Sequence, residues 1–117
     1  PAISRGIDMT DQTGRIRALN DELRRTGTGG RIMLTAGIAG LPPAALAAVL
    51  LAVQVFDAFT PDNDPLGEHD FALLEAARER VIFKIDYYDP TLSLHSDDAS
   101  DASVTERVLT IMLASEY

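Results

Sequence analysis

The chain has no cysteine and no tryptophan, few aromatic residues (four Phe and three Tyr), and ten basic residues against eighteen acidic ones. Without thiols there is no disulfide, no thiolate zinc site and no cysteine nucleophile, and the composition permits a reducing compartment. The shortage of Lys and Arg, with a formal net charge of −8 and a pI near 4.5, excludes the clustered basic surface that direct, nonspecific nucleic-acid binding requires. Long apolar runs are also missing. The longest, Leu41 to Phe56, covers 16 residues, opens on Pro42-Pro43 and is closed by Asp57, short of the ~20 that cross a bilayer. Pro1-Ala2-Ile3-Ser4-Arg5 shows neither the apolar segment nor the cleavage pattern of a secretory signal. A cytoplasmic protein without membrane contact is expected. An N-terminal proline serves tautomerases as a base, but there it opens a buried strand. Here a polar stretch and a helix follow, so Pro1 is not read as catalytic.

What is present suffices for one domain over residues 1–117, with residues 1–9 as a flexible leading segment. At 117 residues and 46% hydrophobic content, folding can bury about two-thirds of the unfolded surface. From Thr10 to Thr26, Ile16, Leu19 and Leu23 form one narrow helical stripe. Thr10 or Asp11 can cap its start, and Arg24, Arg25 and Gly27 suit its end. Arg31–Thr35 reads as a strand buried on both faces. Pro42-Pro43 then open a helix to about Phe56. Only Gln54 is polar between Ala44 and Phe56, so this helix should be covered almost all round, by the sheet and by a second subunit.

Two local signals compete over 68–89. Leu74 to Arg80 favours helix, yet Val81, Phe83, Ile85 and Tyr87 alternate with Ile82, Lys84, Asp86 and Tyr88 as strand residues do. A hairpin turning at Ala77-Arg78 sets Leu74 against Val81, Ala72 against Phe83, Glu75 against Arg80, Leu73 against Ile82, Phe71 against Lys84 and His69 against Asp86. The hairpin is therefore preferred, although neither Ala nor Arg suits the positive φ of such a turn. Thr91 to Ala102, rich in Ser and Asp, reads as a loop. Ser103-Val104-Thr105-Glu106 fits a capping box, and Val104, Val108, Ile111 and Met112 continue at helical spacing. The expected fold is α+β in the order α-β-α-β-β-α. Its sheet is three-stranded and mostly antiparallel, formed by Arg31–Thr35, His69–Glu75 and Arg80–Tyr88. Helices 42–56 and 104–115 cover one face; the N-terminal helix or a second subunit covers the other.

The blocks Asp62-Asn63-Asp64-Pro65-Leu66-Gly67-Glu68-His69-Asp70-Phe71, Lys84-Ile85-Asp86-Tyr87-Tyr88-Asp89 and Arg107 through Tyr117 resemble those of an uncharacterised bacterial domain-of-unknown-function family, often carried on plasmids and other mobile elements. Asn20-Asp21, Gly30 and Thr35-Ala36-Gly37 fit its earlier pattern, so the resemblance runs from Asn20 to Tyr117. The resemblance implies Gly at position 72, an Asp-Gly type of turn at 77–78 and Trp at 83, where this chain has Ala72, Ala77-Arg78 and Phe83. Such a turn supports the hairpin. The resemblance implies no activity.

Several motifs fail on inspection. Thr35 to Gly40 lies between strand and helix like a phosphate loop, but Pro42 and Pro43 have no N–H to offer and no Lys follows. Asp62-x-Asp64-x-x-Gly67 resembles a calcium loop, with Leu66 and Leu73 where the fifth and twelfth ligands belong. Asx turns around Pro65 account for those acids, and no metal or other cofactor is expected. The pair His69-Asp70 recurs in metal phosphohydrolases, which need further histidines; His95 is the sole other one.

Two functions remain. One is a small acidic accessory or regulatory protein, homodimeric, acting through protein contacts with a basic partner: residues 32–77 hold six acids and no base. The other is a small hydrolase or isomerase in which His69 acts as acid and base, Asp86 orients it, and Glu68, Asp70, Lys84 and Tyr88 bind substrate. A deep pocket holding His69 and Asp86 favours the enzyme; packed, satisfied groups favour the interaction protein.

Overall fold

A computed structural model describes residues 9–117, with side chains from residue 12 onward. Pro1, residues 1–8 of the expected flexible segment, and the side chains of Thr10 and Asp11 lie outside the described residues. Along the chain come α1 (Met9–Thr26), β1 (Arg31–Leu34), the single turn α2 (Ala36–Ala39), α3 (Pro43–Val55), β2 (Phe71–Ala76), β3 (Glu79–Tyr88) and β4 (Glu106–Leu113). Short 3-10 turns precede and follow β4 at Ala102–Val104 and Ala114–Glu116. The fold is α+β, with a four-stranded mixed sheet in the order β1-β4-β3-β2.

Hairpin β2–β3 forms in the expected register, from Phe71 opposite Lys84 through Leu73 opposite Ile82 to Ala76 opposite Glu79. Ala77 and Arg78 both take left-handed backbone, φ 53° and 65°. Two successive positive φ values give the mirror-image turn whose twist matches a hairpin. Tertiary pairing of two apolar strands thus outweighs both the local helix propensity and the strain of the turn.

The C-terminal element corrects the expected helix over 104–115 and makes the sheet four-stranded. β4 is central, antiparallel to β3 (Phe83 opposite Ile111) and parallel to β1 (Ile32 opposite Leu109). Val104, Val108, Ile111 and Met112 fit a helical period, but Arg107, Leu109 and Ile111 also alternate, and Val108, Thr110 and Ile111 are β-branched, which favours strand. The anticipated Ser103 cap is replaced by Asp101, whose carboxylate accepts from the Ser103 N–H (2.9 Å) and starts only a single 3-10 turn.

One sheet face carries the core. Leu23 from α1, Ile38 from α2, and Val49 and Val53 from α3 bury against Ala72, Val81, Phe83, Ile85, Leu109 and Ile111. Each such aliphatic side chain contributes about 1.5–3 kcal/mol by leaving water. Gly30 lets α1 and β1 close onto β4: a Cβ there would stand 2.6 Å from the Arg107 carbonyl oxygen and 2.8 Å from Leu23.

One burial expectation is also corrected. β1 is an edge strand exposed along its length, with Ile32, Met33 and Leu34 at 44%, 53% and 37% exposure, rather than a strand buried on both faces. Only Val49 and Val53 of α3 are fully buried, while Leu51 and Val55 are 58% and 64% exposed. An apolar run records hydrophobicity but not how many neighbours the topology supplies, and among the described residues β1 has one neighbouring strand.

Candidate functional site

The polar residues of α1 organise the first of two neighbourhoods. Asn20, Leu23 and Arg24 are fully buried, and Asp21 is partly so. Positions 20, 21 and 24 share one helical face. The Arg24 guanidinium lies 5.4 Å from the ring centres of both Phe59 and Phe83. It donates to the carbonyls of Val53 (2.9 Å) and Phe56 (2.8 Å), capping the negative end of α3, and to Asp21 Oδ1 (3.0 Å). Burial lowers its pKa, with Asp21 opposing.

Asp21 passes this constraint to His69. The His69 Nδ1 is 2.9 Å from Asp21 Oδ1, and since a carboxylate only accepts, Nδ1 carries the proton. Nε2 stands 3.7 Å from Asp64 Oδ2, and the ring stacks on Phe59 at 3.9 Å between centroids, 6° from parallel. The His69 backbone is left-handed, φ 56°, with its N–H donating to Asp64 Oδ1 (3.2 Å). An open groove of about 530 Å3 runs along Thr13, Arg17, Phe59, Asp64, Gly67 and His69. In the loop before it, Asn63 Oδ1 accepts from the Thr60 N–H (2.8 Å) and Thr60 Oγ1 from the Asn63 N–H (3.2 Å), a reciprocal pair on the N-terminal side of Pro65.

The geometry expected between His69 and Asp86 is not formed. The ladder stops at Phe71 opposite Lys84; Asp70 contributes only its carbonyl, to the Ile85 N–H (2.8 Å), and the turned backbone sends His69 to α1. Asp86 instead bonds Lys84 Nζ two residues away on the same face.

Glu68 joins a buried network beneath the site. The Asn20 amide donates to the Glu68 carbonyl (3.0 Å) and to the Tyr87 hydroxyl (2.7 Å), and accepts from Arg107 Nε (2.9 Å). The Tyr87 hydroxyl donates to Glu68 Oε1 (2.8 Å), and the fully buried Arg107 guanidinium lies 5.2 Å from the Tyr87 ring centre and reaches the Ala99 carbonyl. Burial, reinforced by Glu68, drives the Tyr87 pKa far above its ordinary value, so the hydroxyl stays a donor. Burial likewise lowers that of Arg107.

The second neighbourhood lies where β3 outruns β2. Beyond the ladder, Tyr88 bridges to His95, and Ser96 donates its N–H to the Tyr87 carbonyl (3.0 Å). This leaves a cleft of about 320 Å3 bordered by Asp70, Asp86, Tyr88, Ser93, Leu94 and His95. It gathers three residues named from sequence, Asp70, Asp86 and Tyr88, with Lys84 tied to its rim through Asp86. His95, passed over in the sequence, supplies the imidazole here in place of His69. Burial raises the Asp70 pKa, with Glu68, Asp64 and Asp86 adding repulsion. Among the described residues no three His, Asp or Glu side chains are grouped to hold a metal ion, and no helix is long and apolar enough to cross a membrane.

Asn20, Arg24, Arg107 and His95 were not anticipated as parts of either neighbourhood. The spacing of Asn20, Asp21 and Arg24 beside Leu23 was the available signal, since it lays polar groups alongside the apolar stripe.

These features define a small α+β domain with a buried polar network and an acidic cleft. The chain belongs to the family described as "Protein of unknown function (DUF3768)", whose model matches residues 34–116. No curated protein and no solved structure matches the chain.

Proposed function

We propose that this protein is a small accessory or regulatory protein that acts through contacts with a basic protein partner, whose Arg or Lys side chain enters the cleft between Asp70 and Asp86. The observation that carries this reading is the cleft of about 320 Å3 bordered by Asp70, Asp86 and Tyr88; burial first, and then the Glu68, Asp64 and Asp86 carboxylates, raise the cost of ionising Asp70 there. A guanidinium or ammonium entering the cleft relieves that cost, and Tyr88 offers a ring face for its apolar stem. The state of His69 agrees, since Asp21, Asp64 and Phe59 engage its ring; a partner's cation reaches Asp86 by displacing Lys84. The acidic surface also steers a basic partner toward the cleft.

The test is selection of displayed random peptides on the immobilised protein. Enriched peptides should carry net positive charge, and their affinity should fall about tenfold or more in the Asp70→Asn/Asp86→Asn variant. Absence of enrichment, or affinity indifferent to that variant, contradicts the reading.

A further inference from the structure

Leu51 and Val55 on α3 and Ile32, Met33 and Leu34 on β1 leave the β1 edge of the sheet apolar and open. Between α3 and β1 runs a groove of about 230 Å3 bordered by Ile32, Leu34, Leu50, Val53, Leu109 and Ile111, with Arg24 and Gln54 also lining it. No charged residue occurs from position 32 to 56, in a chain of net charge −8.

The strand's free edge has a defined hydrogen-bonding pattern. The Thr35 N–H donates to the Ile111 carbonyl (3.1 Å), so Thr35 faces β4. Backbone groups alternate sides along a strand, and Met33 therefore faces β4 as well. The N–H and C=O groups of Ile32 and Leu34 point outward, where β1 has no neighbouring strand among the described residues.

We infer that the occupant of this edge is a second copy of the chain, paired antiparallel through β1 about a twofold axis at Met33. In that register Ile32 of each copy exchanges hydrogen bonds with Leu34 of the other, and Met33 lies opposite Met33. The two sheets become one of eight strands, and the α3–β1 grooves meet on the same side of it. Charge selects this occupant. Two copies of a strongly acidic chain repel through every acid-bearing surface, and β1–α3 is where they can approach with no acid from their own strands between them. A basic partner is drawn instead to the acidic cleft on the β2 side of β3, which this dimer leaves open. The inference deepens the reading of an interaction protein by naming one partner, and it uses a different surface.

The absence of cysteine provides a direct test. At a non-hydrogen-bonded antiparallel pair the Cα atoms lie about 4.5 Å apart, within the ~4.4–6.8 Å that a disulfide spans. Met33→Cys should therefore form a disulfide-linked dimer under mild oxidation, while Leu94→Cys, an exposed site elsewhere, should not. Sedimentation equilibrium of the unmodified chain should give twice its 12.6 kDa mass. Leu34→Lys, checked for fold by circular dichroism, should raise the dimer dissociation constant about tenfold or more. Monomeric sedimentation overturns the inference. So does a dimer that Leu34→Lys leaves intact while Met33→Cys links no faster than Leu94→Cys, or a foreign peptide on β1 of a monomer. A monomer that still selects basic peptides at Asp70 and Asp86 rejects the dimer alone; a β1 dimer that selects none rejects the basic-partner reading alone.

Discussion

Replacing Asn20 by Leu should be among the costliest single changes available to this fold. The side chain is fully buried and makes three hydrogen bonds, to the Glu68 carbonyl, to the Tyr87 hydroxyl and from Arg107 Nε. Leu matches Asn in heavy-atom count and branching but is larger, so no cavity forms and the loss comes from orphaned polar groups, with overpacking adding to it. A buried neutral group left unpaired costs about 1–3 kcal/mol, and a charged one more. Breaking a buried charged contact by removing one partner costs about 3–5 kcal/mol, and Arg107 has few other acceptors, so the total should be about 4 kcal/mol. With a urea dependence of about 2 kcal/mol per molar for a domain of this size, the midpoint should fall by about 2 M. Far-UV circular dichroism is the suitable probe because the chain has no tryptophan. The double variant Asn20→Leu/Arg107→Met should lose less than the sum of the singles, since the second change removes the orphaned charge. A loss below about 1 kcal/mol, or strict additivity, refutes the view that Arg107 depends on Asn20.

Three further outcomes follow. Ala77→Asn/Arg78→Gly relieves two left-handed L-residues and should stabilise by about 1–2 kcal/mol, seen as a melting temperature higher by several degrees; a lower one contradicts the turn geometry. Gly30→Ala forces a methyl group onto the Arg107 carbonyl and Leu23 and should cost about 1–3 kcal/mol in urea unfolding, whereas an unchanged midpoint would show that β1 can shift freely. Asp70 has a raised pKa in the folded state, so its favourable contribution exists in acid and is lost as pH rises through that folded value. Asp70→Asn should accordingly raise the melting temperature at neutral pH and lose that advantage in acid. An effect of the opposite sign at neutral pH contradicts the repulsion among these carboxylates.

The hairpin was legible in the sequence because its alternation and its charge pairs agree: one offset sets Leu74 on Val81 and Glu75 on Arg80 together. β4 was not, because its apolar residues satisfy two periods at once and the choice lies with neighbours distant in sequence, β1 and β3. The polar face of α1 was hidden for a related reason. A buried Asn and Arg look like a solvated face until Glu68, Tyr87, Arg107 and the end of α3 are brought to them. Of the candidate site, the pairing of His69 with Asp86 was not legible. Asp70, Asp86 and Tyr88 border one cleft, whereas His69 is taken out of the ribbon by one left-handed residue, a backbone choice that alternation does not encode.

The most direct measurement is an amide-resolved NMR titration with a short Arg-rich peptide. Docking at the acidic cleft predicts saturable shifts concentrated at Asp70, Asp86, Tyr88 and Ser93 through His95. Shifts that are absent, or spread over exposed acids such as Asp57, Asp62, Asp97 and Asp101 with no such focus, would contradict it.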